Sequence, residues 1–436
     1  MVSIKAGASE SSNGQSGIRF PKVLFVNEVG PDDMAMCSVA RQMLVGYPKE
    51  RLSWWYCLGT SFRGISSVGA HSLHRFWLPP KLLPNRKLKA LRGSFLERIW
   101  APLAARHLAG AVASARPDVV WVLLWSWPIL VANRTRWPKG IRLHVSLMDF
   151  PDTVGCKAIM GLPRSGRFRE AVFKLIGQAD SWDAISKAML DEIRSKTGRR
   201  DGIVLHPGLE PEDLQALEDH QERPADGGIR LAYVGSILCE RPFIELVKTL
   251  EKLRPQLPRK LVLEFYGNRG YRNSSWFNPE WMIEHKVFRS DRELVVSLQG
   301  CSWGTVVMDP DGTDLQYSRF SFPGKTGPYL SAGVPLLGIG HPSSSLADLM
   351  QRHQVGVFQA VSKTEELEPF LRESLQMPNP RLAFRNNILE CARNELNAAQ
   401  IRARLWQVWA ASPPQDRAPR DPVNGTQTAV PEGCVG

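Results

Sequence analysis

Short apolar runs of strand length alternate with helix-length segments along most of this 436-residue chain, and the series occurs twice. The first series has its runs at residues 22–27, 52–57, 118–124, 142–147, 181–185 and 202–205. The second has them at 229–234, 261–266, 303–308 and 336–339. The first of them, Lys22-Val-Leu-Phe-Val-Asn27, reads as a strand buried on both faces, as in a parallel sheet covered by helices. Helices between parallel strands serve as crossovers, so each series predicts an α/β, Rossmann-like unit. Glu222-Arg-Pro-Ala-Asp-Gly-Gly228 separates the two and has linker composition. The expected division is therefore a tail at 1–18, a first domain at 19–208, a linker at 209–228 and a second domain at 229–378. A helix over 379–411 that can cross back to the first domain follows, and a Pro-rich polar tail at 412–436 ends the chain. In such folds ligands bind beyond the C-terminal strand ends. That rule directs attention to the loops 27–33, 125–128, 148–152, 235–241, 267–270 and 308–328.

Charge and cysteine usage narrow the partners. The net charge of +12 attracts anions such as phosphorylated substrates, acidic lipid or nucleic acid. No zinc-finger, helix-turn-helix or RNP-type pattern accompanies it, so nucleic acid is not the expected partner. The seven cysteines are scattered without a CxxC pair, which argues against a zinc site or a disulfide framework and for a reducing, cytoplasmic setting. No signal-peptide pattern is visible at 1–18, and no apolar run is long enough to span a bilayer.

The segment Phe322-Pro-Gly-Lys-Thr-Gly-Pro-Tyr-Leu-Ser-Ala-Gly-Val-Pro-Leu-Leu-Gly-Ile-Gly340 places a lysine between two glycines ahead of a short helix. Glycines let backbone N–H groups approach an anion, and Lys325 adds a full positive charge. This is the expected phosphate-holding corner, with Gly324, Thr326 and Gly327 as its backbone. An ordinary loop–helix–strand corner is the competing reading.

These motifs together resemble the retaining glycosyltransferases of GT-B fold, the large group often called family four. Lys325-Thr-Gly-Pro-Tyr-Leu-Ser-Ala-Gly-Val-Pro-Leu-Leu337 resembles that group's Lys-Φ-x-Glu-Tyr-Leu-Ala-Ala-Gly-x-Pro-Val pattern. Tyr233-Val-Gly-Ser-Ile-Leu-Cys-Glu-Arg241 resembles its Val-Gly-Arg…Lys-Gly segment, Ala179–Lys187 the end of its first domain, and His206-Pro-Gly208 its crossover turn. The resemblance covers roughly residues 20–360. It implies two Rossmann-like domains facing a cleft and transfer of a sugar from a nucleotide sugar to a saccharide or lipid-linked acceptor, in polysaccharide or glycoconjugate synthesis. It also implies retention of anomeric configuration and no metal or other cofactor. The leaving diphosphate gathers negative charge, which fixed cations and N–H groups stabilise. Lys325 and Arg241 are the candidates for that role. Gly235, Ser236, Gly267 and Asn268 are the further donor-side candidates.

The chain departs from the pattern at named positions. Phe320 and Pro328 stand where the group has paired glutamates, and Ser236 stands in place of an arginine. Met148 replaces the histidine of a frequent His-Asp pair, whose aspartate is kept as Asp149. Loss of the glutamates leaves the donor open and keeps a second hypothesis in play: a module of the same fold that binds nucleotide sugar or glycan without turnover.

On the acceptor side, Asp149 is the candidate catalytic carboxylate, with helix capping or turn formation as the alternative. Gly30, Trp125, Trp127 and Asp152 are the acceptor-binding candidates. Trp276 and Trp281 also read as loop tryptophans able to stack on a sugar. Asp309, Asp311 and Asp314 read as a solvated loop. Residues 75–100 are basic and apolar together, with Glu97 the single acid. Such a stretch suits an anionic membrane surface, or else a helix packed on the first sheet.

Overall fold

The computed structural model describes residues 20–31, 38–58, 69–78, 92–150, 165–220, 227–267, 269–286, 288, 290–310, 315–360 and 364–411. Thirteen strands among them form two sheets. The first sheet holds β1 (Val23–Val26), β2 (Leu52–Tyr56), β3 (Ser72–Arg75), β4 (Val119–Leu123), β5 (Arg142–Leu147), β6 (Ser181–Ala184) and β7 (Ile203–Val204). Its order is β3-β2-β1-β4-β5-β6-β7, with every pairing parallel. The second holds β8 (Ile229–Val234), β9 (Leu261–Tyr266), β10 (Met282–His285), β11 (Trp303–Val307), β12 (Leu336–Gly340) and β13 (Gly356–Ala360). Its order is β10-β9-β8-β11-β12-β13, also parallel throughout. In both sheets the direction of winding reverses between two neighbouring central strands, β1/β4 and β8/β11. Doubly wound sheets leave a crevice at that point.

Each sheet is sandwiched between two apolar layers. In β1, Leu24 and Val26 enter one core while Val23 and Phe25 enter the other, as the two-residue period of a strand requires. Ser186 caps the helix Lys187–Thr197, its Oγ accepting from the Met189 N–H at 3.1 Å. Removing such a cap typically costs about 1 kcal/mol.

The C-terminal segment forms two helices rather than the single one expected. Pro380–Asn394 packs in the second domain through Ile388, Cys391 and Ala392. The chain then crosses at a bridge between Leu209 and Asn397. Ala398–Ala410 lies on the first domain, where Ile401, Leu405, Trp406 and Trp409 complete a core with β1, β2 and β4. Gly208 passes so close that a Cβ there would stand 2.6 Å from the Leu396 carbonyl oxygen.

Three strands escape the sequence reading: β3, β10 and β13. All lie at or next to sheet edges and carry mixed or half-exposed residues instead of continuous apolar ones.

Candidate functional site

Loops from the C-terminal strand ends of the two sheets meet across the cleft. Phe150, just after β5, stacks on Phe320 of the second domain with centroids 4.6 Å apart. Ser321 Oγ donates to Asp149 Oδ1 at 2.9 Å, and Ser186 Oγ donates to the Phe320 carbonyl. His206 at the crossover stacks on Phe322 at 4.7 Å. Asp149 thus sits in the contact between domains. Phe320 is buried with the core of the first domain.

On the second-domain wall, Lys325 opens the short helix Thr326–Ser331. Tyr329, one turn on, fixes that helix to the sheet. Its buried hydroxyl accepts from the Val234 N–H at 2.7 Å and donates to the Ala232 carbonyl at 3.0 Å. Gly304 on β11 makes room for the ring, since a Cβ there would stand 2.3 Å from it. Gly333, with φ 68°, then closes the helix: its N–H donates to Leu330 O and the Val334 N–H to Tyr329 O.

This anchoring sets Lys325 Nζ 3.7 Å above the Tyr233 ring centroid and 3.4 Å from the Ser236 carbonyl oxygen. Loss of water around the ammonium lowers its pKa to about 7, against a smaller opposing effect of Cys239. Gly235, Gly324 and Gly327 border open space, with no atom within 4 Å of an added Cβ. Gly235 has φ 77°, a conformation natural to glycine, and Tyr271 OH donates to its carbonyl at 3.1 Å. Gly267 lies beside it, at the end of β9. Arg241, in the first turn of the helix Glu240–Leu253, is two-thirds exposed and stands 3.7 Å from Asp309. Lys325, Gly235, Arg241 and Asp309 therefore gather at the reversal point of the second sheet. An exposed cation and a desolvated one, bordered by glycines, make a corner chemically suited to a phosphate.

The first-domain wall holds two residues the sequence reading missed. Glu28, two residues after β1, is buried and accepts a hydrogen bond from Ser126 Oγ at 2.9 Å. Ser126 follows β4 with φ 55° and ψ −139°, a strained backbone for a residue other than glycine. Such strain tends to collect at functional sites. The pair lies at the reversal point of the first sheet, beside Gly30, which packs against the Tyr56 ring. Adjacent strand ends create the pair, and no local motif announces it.

Three expectations need correction. Trp127 is not a loop residue: it starts the helix Trp127–Arg134, is 2% exposed and packs edge-on to Trp100. It has no ring face left for a sugar, and Trp281 is likewise core. Thr326 is fully buried, and both its hydroxyl and its N–H donate to Pro323 O, so neither faces a ligand. Trp125 is partly buried against both first-domain cores, and Trp276 packs on Phe243 and Phe265. Asp152, Asn268, Asp311 and Asp314 lie outside the described residues.

Two doubly wound parallel sheets with a cleft between them, and a last helix returned to the first domain, define the GT-B fold. Comparison with solved structures agrees. Anabaena HepE in complex with UDP and glucose is similar with a TM-score of 0.62 at 12% identity, covering 90% of this chain and all of that one. The lipopolysaccharide outer core galactosyltransferase WaaB gives 0.59 at 14%, covering 88% and 99%. The sucrose-phosphate synthase of Thermosynechococcus elongatus gives 0.61 at 10%, covering 89% and 98%. At these identities the likeness establishes the fold. No protein-family model matches the chain, and no curated protein matches it at a significant level.

Proposed function

We propose that this protein is a glycosyltransferase that moves a sugar from a nucleotide-sugar donor to a saccharide or lipid-linked acceptor, in polysaccharide or glycoconjugate synthesis. The observation that carries the reading is Lys325: a desolvated cation over Tyr233, at the glycine-bordered reversal point of the second sheet. HepE, of the same fold, is described in complex with UDP-glucose, which supports a nucleotide-sugar donor here.

In this reading the donor diphosphate lies against Gly235, Gly324 and Gly327, with Lys325 and Arg241 neutralising the charge that develops on it. Interactions stronger in the transition state than with the bound donor are those that accelerate transfer. No metal cofactor is assigned. The acceptor lies on the first domain near Gly30 and Trp125, and its hydroxyl is oriented by Glu28 and Ser126. Asp149 acts through domain closure, by way of Ser321. Retention of configuration rests on the resemblance of residues 325–337, and the anomeric proton signal of the product tests it.

The experiment is a thermal-shift panel of nucleoside diphosphates and their sugars on wild type and Lys325→Ala, followed by turnover with the donor that binds. A ligand that binds only the native state raises its apparent stability. A shift with one nucleotide family, lost in the variant, and product formation are expected. Binding without donor hydrolysis or transfer would instead establish the non-catalytic module. No shift with any nucleotide would overturn the reading.

A further inference from the structure

The chain passes between the domains twice, and both passages run beside one carboxylate. Leu205 belongs to a core of the first domain and Leu209 to a core of the second, so the first passage runs through His206-Pro-Gly208. The return runs from Leu396 in the second domain to Ile401 in the first. Backbone bonds tie the two passages together: the Leu209 N–H donates to Leu396 O at 2.6 Å, and the Ala398 N–H to Leu209 O at 3.0 Å. Gln42 braces the corner from the first domain, its amide donating to Gly208 O at 2.7 Å and accepting from the Gly208 N–H at 2.8 Å. Glu395 stands at this crossing, with three nitrogen-bearing side chains around it. Its Oε1 lies 3.5 Å from His206 Nε2 and 3.2 Å from Arg352 Nη2, and its Oε2 lies 3.6 Å from His353 Nε2. These groups, His206 first, hold its carboxyl well below the usual carboxylate range.

His206 is 4% exposed, and both of its ring nitrogens are engaged. Nε2 faces Glu395, and Nδ1 stands 2.9 Å from the Pro207 carbonyl oxygen. The ring is thereby fixed with its face on Phe322, the planes 10° and the centroids 4.7 Å apart. Phe322 packs against cores of both domains and opens the turn that carries Lys325. The carbonyl of the next residue, Pro323, accepts from the Thr326 N–H at 3.0 Å and from Thr326 Oγ1 at 2.7 Å. Gly324 and Lys325 are therefore spanned between two fixed points. Phe320 is held from the first domain as well, by Phe150 and by Ser186. Lys325 stands on the second-domain wall, yet the first domain grips the segment leading to it at two places.

We infer that His206 is a positioning residue for Lys325: Glu395 sets its ring flat on Phe322, and the stack transmits the relation of the two domains at their crossing to the place of the Lys325 ammonium against Tyr233. An altered angle between the domains moves both passages, and with them the ring on which Phe322 rests. Lys325 then leaves its desolvated setting over Tyr233. The inference rests on reading Lys325 as the phosphate-holding cation, but its test observes the lysine itself and needs no nucleotide.

The test is the pH dependence of Lys325 acetylation by trace acetic anhydride, read by peptide mass spectrometry on the full chain. Wild type should show a midpoint of about 7. His206→Ala should raise it by at least about one unit toward the ordinary lysine value of about 10.4, as the loop frees and the ammonium regains water. His206→Phe keeps a ring on Phe322 and should bring the midpoint most of the way back. Gln42→Ala loosens the same crossing without touching the ring, so it should lower the melting temperature and leave the midpoint where it is. A wild-type midpoint at the ordinary lysine value, an unchanged one in His206→Ala, an equal rise in Gln42→Ala, or no recovery in His206→Phe would each overturn the inference. Failure of every nucleoside diphosphate to bind a protein that shows the expected midpoints would instead overturn the phosphate reading and leave the positioning role standing.

Discussion

If a diphosphate sits on Lys325, its affinity should depend on pH. Burial lowers its ammonium from 10.5 to about 7 in the unliganded protein. A phosphate oxygen about 4 Å away interacts with it by roughly 4 kcal/mol at an effective dielectric of 20, about three pH units. The cleft is open to solvent, and halving the effect for screening leaves a rise of about 1.5 units on binding. Affinity should therefore be full below about pH 7 and fall about 30-fold, roughly 2 kcal/mol, as pH rises above it. Unliganded stability should move the other way. The unfolded lysine holds its proton up to about 10.4, so the unfolded state binds more protons between pH 7 and 10. Wild type should gain on Lys325→Met across that window, because the methionine has no buried charge to relieve. Titration calorimetry of the best-binding nucleoside diphosphate from pH 6 to 9.5, on both proteins, measures the first effect. Lys325→Met corrects for ionisation of the ligand itself. A flat wild-type profile, or an equal slope in Lys325→Met, would refute the assignment of the phosphate to Lys325.

Tyr329→Phe leaves the buried Val234 N–H and Ala232 carbonyl without the hydroxyl, and should cost about 1–3 kcal/mol in denaturant unfolding. It should also weaken diphosphate binding, because the Lys325 helix loses its tie to the sheet. Glu28→Gln should reduce transfer to acceptor about a hundredfold while leaving the nucleotide thermal shift intact. A loss of both together would make Glu28 structural. Ser126→Gly relieves backbone strain but removes the hydrogen bond to the buried Glu28, so the two effects should offset to within about 1 kcal/mol in thermal unfolding while turnover falls. Phe320→Ala should destabilise by about 3–5 kcal/mol and enlarge the radius of gyration in small-angle scattering as the domain contact loosens. An unchanged radius would mean that the remaining contacts hold the cleft alone.

Most of the central strands were legible because a strand buried on both faces has to be largely apolar: β1 and β4 are so throughout, and β8 and β11 are interrupted only by Arg230 and Thr305. Edge strands answer to no such rule. The alternating exposure of Ser72–Arg75 and the half-exposed Gly356–Ala360 look like loop in sequence. Trp127 misled for a related reason. Trp-Pro reads as a turn, yet proline is well placed in the first turn of a helix, where its missing N–H has no partner to lose. Lys325 was legible as a local motif. Its surroundings were not, because Tyr233, Ser236 and Tyr329 meet it through sheet pairing and a helix anchor. The Glu28–Ser126 pair joins residues 98 positions apart through the adjacency of β1 and β4, which sequence spacing does not encode.

The same contrast explains the positions where the chain departs from the family it resembles. Phe320 does not leave a gap in a ligand site. It is turned into the core of the first domain against Phe150, and Arg319 lies over its ring at 4.9 Å. Pro328 falls in the first turn of the helix Thr326–Ser331, where a proline is tolerated without loss of a helical hydrogen bond. Both substitutions are therefore structurally consistent, and both exchange a carboxylate for an apolar group. What they remove is capacity to bind hydroxyls. What Phe320 adds is a bolt across the cleft, at the end of the helix Leu315–Phe320 and five residues before Lys325. A donor that relied on two carboxylates for its sugar and ribose would be held poorly here. A donor held chiefly through its diphosphate, by Lys325 and Arg241 with the domains already drawn together, fits the residues that remain.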